Sequence, residues 1–166
     1  MGFTHFDERG RAQMVDVTAK SPTQRYARAR ATVRMAPATL EAILEHRIAK
    51  GDVFEIARIA GIMAAKRVHE LIPLCHQIPL GSVTIGFEPA GDHTVSIVSE
   101  ARAHAVTGVE MEALTACSVA ALTVYDMCKA IDRAIVLEQV LVVEKRGGKS
   151  DYLAAAPSAT EGQPGR

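Results

Sequence analysis

The stretch SVTIGFEPAGDHTVSIVSEARA, Ser82 to Ala103, decides the fold. Val83, Ile85 and Phe87 alternate with Thr84, Gly86 and Glu88, and Val95, Ile97, Ala101 and Ala103 share one side of the second half. Period-two alternation marks a strand with one apolar face, and PAGDH between the two runs is a turn. The stretch is therefore a β-hairpin. Upstream lies IPLCHQIPLG, which holds two prolines, ends at Gly81 and reads as a loop. Before it, PATLEAILEHR opens with Pro37, and KGDVFEIARIAGIMAAKRVHEL carries Asp52 and Glu55 in capping-box spacing. Together they form a helical region broken near Gly51. Further upstream, RYARARATVRM alternates Ala27, Ala29, Ala31, Val33 and Met35 with Tyr26, Arg28, Arg30, Thr32 and Arg34, which is another strand with one apolar face.

Downstream of the hairpin, Thr107 to Ile131 has the length and pattern of one long helix, and the β-branched run IVLEQVLVVEKR after it is a strand. The order strand, helix, hairpin, helix, strand is the ferredoxin-like βαββαβ pattern of the α+β class. It is expected to form an antiparallel four-stranded sheet with helices on one face. The other face needs a cover. Arg28, Arg30 and Arg34 argue that part of it is wet, while the Val and Ile content of the other strands favours a partner subunit.

The chain has 166 residues, enough for one domain that buries roughly 70 % of the surface of its unfolded chain. Residues 1–13 read as a flexible lead-in, 14–153 as a single domain, and the Pro/Gly-rich 154–166 as a disordered tail. Nineteen basic residues balance nineteen acidic ones, so no global field draws the chain to nucleic acid or to a membrane. No run could span a bilayer, and the N-terminus lacks the apolar core of a signal peptide. Three irregularly spaced cysteines, Cys75, Cys117 and Cys128, suit a reducing compartment, and the expected location is cytoplasmic.

The long helix carries four charges among residues that prefer burial. Leu114, Cys117, Ala121, Val124, Cys128 and Ile131 recur every three or four residues as the stripe that packs on the sheet, with both cysteines in the core. Glu110 forms a capping box with Thr107 if the helix starts at Gly108, and an acid at Glu112 is favoured by the helix dipole. Asp126 and Lys129 are three apart on one face, near the helix end where a carboxylate is disfavoured. They read either as a surface ion pair or as a carboxylate that tunes an ammonium for general acid catalysis. Other basic residues, Lys50, Lys66, Arg67, His76 and those of EKRGGKS, fall in loops or at element ends, where ligand contacts collect. GGKS is not a P-loop, since Val143 stands where the first glycine would be and no helix follows. Cys75 and His76 are adjacent, but no second close pair completes a tetrahedral metal site.

KGDVFEIARIAGIMAAKR, LIPLCH, TGVEMEALTACSVAALTVYDMCKA and KRGGKSD, in this order, resemble the MoaC family, the cyclic pyranopterin monophosphate synthases of molybdenum-cofactor biosynthesis. The resemblance runs from Met14 to Asp151. It implies a lyase that converts a cyclic dihydroguanosine triphosphate to cyclic pyranopterin monophosphate and releases diphosphate. No cofactor is required, with room for a divalent cation accompanying the triphosphate. It assigns catalysis to Asp126, Lys129 and Lys50, and places Leu74, Cys75, His76, Met111 and Glu112 along the substrate. Glu110 is a further substrate-binding candidate, and Lys66 and Lys145 are expected, as exposed cations, to hold the phosphates. It further implies a homohexamer, a trimer of dimers, with sites between subunits. Gln77 departs from the family, which commonly has proline there, and leaves the backbone after His76 less constrained.

A guanine-like ring with a triphosphate calls for carboxylates to accept ring N–H bonds and cations to hold phosphate oxygens. Glu112 and Asp126 lie too far apart along one helix for a small ligand to bridge, and a second subunit resolves the distance. The rival reading is a non-enzymatic small-molecule or nucleotide sensor of the same fold, which binds without releasing diphosphate.

Overall fold

The computed structural model describes residue 7 and residues 9–154. The remainder of the expected lead-in (1–6 and 8) and of the expected tail (155–166) lies outside the described residues. β1 (Thr23–Arg34), β2 (Leu80–Ala90), β3 (Thr94–Ala105) and β4 (Val136–Arg146) form an antiparallel sheet in the order β2-β3-β1-β4, the split βαβ arrangement. The alternation of β1 and β3 holds in detail, whereas β4 does not alternate. Ala27, Ala29, Ala31 and Val33 of β1 and Val95, Ile97 and Ala101 of β3 are fully buried on the helix-covered face.

The sheet has five strands, not four: Tyr152–Leu153, β5, pairs antiparallel with β4 through Glu144↔Leu153 and Lys145↔Tyr152. Gly147 (φ 90) and Gly148 (φ 86) turn the chain back, and Asp151 Oδ1 accepts the Gly147 N–H at 2.9 Å. A two-residue strand is too short to carry an alternation signal. On the opposite face of the sheet, the Nε atoms of Arg28 and Arg30 are buried without a hydrogen-bond partner among the described residues.

The helices are α1 (Pro37–Leu44), α2 (Val53–Ala65), α3 (Val68–Leu71) and α4 (Glu110–Cys128). Pro37 opens α1, and Asp52 caps α2 by accepting the Glu55 N–H at 3.1 Å. Only half of that capping box forms, because the Glu55 carboxylate pairs with Arg58. The box expected from Thr107 and Glu110 does not form. Val109 is the N-cap of α4, and Glu110, as the first helical residue, folds its carboxylate back over Gly108 and toward Lys145. Along the stripe, Cys117, Ala121, Val124 and Cys128 are fully buried and Leu114 packs partly. Ile131 is 61 % exposed instead, because α4 ends at Cys128. Burial pushes the Cys117 and Cys128 thiols up to about 11, which leaves them inert core groups.

α2 and α4 cross closely because small residues line both: Ala57, Gly61 and Ala64 against Ala113, Ala116 and Ala120. A Cβ at Gly61 would sit 2.6 Å from the Ala116 carbonyl oxygen and run into Ile85 Cδ1. Gly61→Ala is accordingly expected to destabilise the fold by about 1–3 kcal/mol through overpacking, since a backbone oxygen cannot rotate away. Urea denaturation measures this, and an unchanged midpoint would contradict the packing described here.

Candidate active site

Two polar clusters lie at opposite ends of α4. At the C-terminal end, Asp126 sits between two lysines. Lys129, the C-cap residue, places Nζ 2.5 Å from Asp126 Oδ1. Lys50 reaches over from the turn before α2, its Nζ 2.6 Å from the Asp126 carbonyl oxygen and 3.3 Å from Oδ2. Gly51 makes that approach local and sharp: its φ of 108° belongs to glycine, and its N–H donates to the Ile48 carbonyl at 3.0 Å. The hydrogen bond from Lys129, then that from Lys50, holds the Asp126 carboxyl below the usual carboxylate range. Reciprocally, the bond to Asp126 raises Lys129 above an ordinary lysine. All three side chains are about half exposed. The group therefore adds little to stability, yet it keeps two ammonium protons oriented around one carboxylate.

At the N-terminal end of α4 lies a cavity of about 460 Å³. Leu74, Cys75 and His76 enter from the loop before β2, and Glu110, Met111 and Glu112 from the first turn of α4. A third wall, absent from the sequence reading, comes from the segment ahead of β1: Val15, Val17 and Lys20. His76 Nε2 donates to the Val15 carbonyl at 2.8 Å. Glu112 is 4 % exposed, and burial pushes its carboxyl up to about 7, with the neighbouring Glu110 charge acting in the same direction. The Cys75 thiol is raised too, by burial and then by Glu112.

Glu112 gives a pH signature. Its folded-state value of about 7 lies above the ordinary 4.5, so the native state binds the extra proton more tightly between them. Stability contributed by this proton is fully present below the ordinary value and is lost as pH rises through about 7. Glu112→Gln should remove that slope. Its stability relative to the wild type should rise by about 2–3 kcal/mol between about pH 5 and about pH 8. Urea unfolding of both proteins across that range measures the difference, and parallel curves would show that Glu112 titrates normally.

Within a single chain the two clusters remain apart. α4 is continuous from Glu110 to Cys128, and at roughly 1.5 Å per residue Glu112 and Asp126 are about 21 Å apart along it. Lys145 lies at the cavity end, its Nζ 3.5 Å from Glu110 Oε1. α2 runs antiparallel to α4, with Lys50 beside Asp126 and Gly61 beside Ala116. This puts Lys66, the C-cap of α2, toward the cavity end, exposed and outside the cavity lining. Arg25 also went unnoticed in the sequence. Its guanidinium donates to the Ala105 and Val106 carbonyls at 3.2 and 3.3 Å and packs beneath Gly148. A signal existed, because Arg25 shares the strand parity of Ala27 and Ala29, where a charge breaks the pattern. Lys20 had no such signal.

Among the described residues, no helix is long and apolar enough to cross a membrane. Both clusters, all the side chains that form them and the helix that separates them fall inside residues 14–148, the span matched by the MoaC family model. The chain therefore belongs to the MoaC family, which implies a role in molybdenum cofactor biosynthesis.

Proposed function

We propose that the protein is a phosphorus-oxygen lyase, a cyclic pyranopterin monophosphate synthase, acting on a cyclic dihydroguanosine triphosphate. The observation that carries this reading is Asp126 clamped between Lys50 and Lys129. Making a cyclic monophosphate from a triphosphate requires a hydroxyl oxygen of the substrate to attack the α-phosphorus. The bond from that phosphorus to the bridging oxygen breaks, and diphosphate leaves with the electron pair. The rearrangement of the ring system that accompanies it moves protons between carbon, nitrogen and oxygen, and Lys50 and Lys129 are the groups that shuttle them, with Asp126 fixing both. The overall change is redox-neutral, so no redox cofactor is needed.

Glu110 and Glu112 accept N–H bonds of the guanine-derived ring, Leu74, Cys75 and Met111 form the walls, and His76 contacts the ring system. Lys66 and Lys145 attract the phosphates. The separation of about 21 Å along α4 supports a site shared between subunits of a homohexamer, a trimer of dimers, in which the cavity of one chain faces the lysine pair of another. Buried Arg28 and Arg30 Nε atoms that lack a hydrogen-bond partner among the described residues support the back of the sheet as a covered surface. Free Cys75, Cys117 and Cys128 go with a cytoplasmic location. Incubating the pure protein with the cyclised triphosphate and assaying diphosphate tests the reaction. Stoichiometric release beyond one turnover is expected, whereas binding without release would favour the sensor.

A further inference from the structure

His76 lines the cavity, and its ring has one fixed partner: the Val15 carbonyl oxygen, 2.8 Å from Nε2. A carbonyl oxygen accepts and never donates, so Nε2 carries a proton. A neutral imidazole has a single N–H, which leaves Nδ1 with its lone pair. Among the described residues, Nδ1 has no hydrogen-bond partner. The segment that supplies Val15 is itself held in place. Asp16 Oδ1 accepts from the Thr18 N–H at 2.9 Å and from Thr18 Oγ1 at 2.7 Å, and the Lys20 N–H donates to the Val17 carbonyl at 3.0 Å. Val15 and Val17 then form a wall of the same cavity.

We infer that the Val15 carbonyl is a positioning group for the site: it fixes His76 as the Nε2–H tautomer and presents Nδ1 as an acceptor for an N–H or O–H donor of the ligand. The groups facing the ring from other elements fit that division of labour. Glu110 and Glu112 on α4 are further acceptors, Cys75 is beside His76 on the loop, and Lys20 is a cation on the segment. The cavity thus meets a ligand with several acceptors on one side, the complement of a ring rich in N–H donors. This rests on the cavity being the substrate pocket, as proposed above.

The tautomer can be tested without turnover. Long-range proton–nitrogen correlation spectra of the full-length, nitrogen-15-labelled protein at alkaline pH, where free histidines are neutral, report which ring nitrogen is protonated. The His76 signals are assigned by their loss in His76→Asn. The expected spectrum is that of the Nε2–H form, and adding the cyclised triphosphate should shift Nδ1 as it accepts a bond. In kinetics, His76→Asn places an amide oxygen near the Nδ1 position, whereas His76→Gln reaches only toward Nε2. Asparagine should keep turnover at least about tenfold above glutamine, the worth of about one hydrogen bond. An Nδ1–H spectrum, an average of both forms, or glutamine outperforming or equalling asparagine would overturn the inference. Absence of turnover in the wild type, with the Nε2–H spectrum intact, would count against the proposed reaction while upholding the positioning role of Val15.

Discussion

Lys129→Ala and Asp126→Asn are expected to lower turnover by a factor on the order of 100 or more while the unfolding midpoint barely moves. The two effects separate because of where the residues sit. Both side chains are about half exposed, while the packing of α4 is carried by Ala113, Ala116, Cys117, Ala120, Ala121, Val124 and Cys128, none of which the substitutions touch. The asparagine variant adds a directional signature. Asp126 raises Lys129 above an ordinary lysine, so removing the carboxylate charge lets the lysine lose its proton at lower pH. If the protonated ammonium is the acid, the alkaline limb of residual activity shifts to lower pH. Steady-state diphosphate release across pH, alongside urea denaturation, measures both. Early melting with near-normal specific activity would reduce the pair to a structural ion pair.

Lys50→Ala should abolish or severely slow the rearrangement, and Lys50→Arg should fail almost as badly. Lys50 comes from a turn 76 residues away in sequence to bind both the carbonyl and the carboxylate of Asp126. If its role were only to complete the ion cluster, arginine would suffice, because a guanidinium is permanently charged and donates well to carboxylates. If its role is to give up and regain a proton, arginine cannot replace it, since it does not deprotonate in proteins. Activity regained with arginine would therefore make Lys50 an electrostatic support rather than a catalytic residue.

β1, β2 and β3 were legible because each repeats its alternation often enough to be unambiguous, whereas β4, whose burial does not alternate, was legible only from its β-branched content. Ala27, Ala29, Ala31 and Val33 could face only one core, and the hairpin left one pairing for β2 and β3, although its turn is shorter than PAGDH: Pro89 and Ala90 still pair with Val95 and Thr94, and only residues 91–93 turn. β5 was not legible, since two residues hold no period and its position follows from the two positive-φ glycines before it. Helix ends were harder than helix bodies. Thr107 and Glu110 have capping-box spacing, yet Glu110 is spent on Lys145, and the helix begins where Val109 is buried. Ile131 fits the stripe numerically but lies past the last turn. Of the candidate site, Asp126, Lys129 and Lys50 meet, as do the LCH loop and the first turn of α4. Val15, Val17 and Lys20 were hidden because an irregular segment has no periodicity, and only the fold brings it against the loop.

In the proposed assembly the two clusters of α4 work together across subunits to release diphosphate. The most direct measurement mixes two inactive variants, Lys129→Ala and His76→Ala, after confirming that each still assembles. If the lysine pair of one chain completes the cavity of another, random mixing in equal amounts leaves about a quarter of the sites with both halves intact. Diphosphate release should then recover toward about a quarter of the wild-type rate, well above either variant alone. No recovery, with subunit exchange verified by mass, would place the whole site within one chain and rule out a shared site.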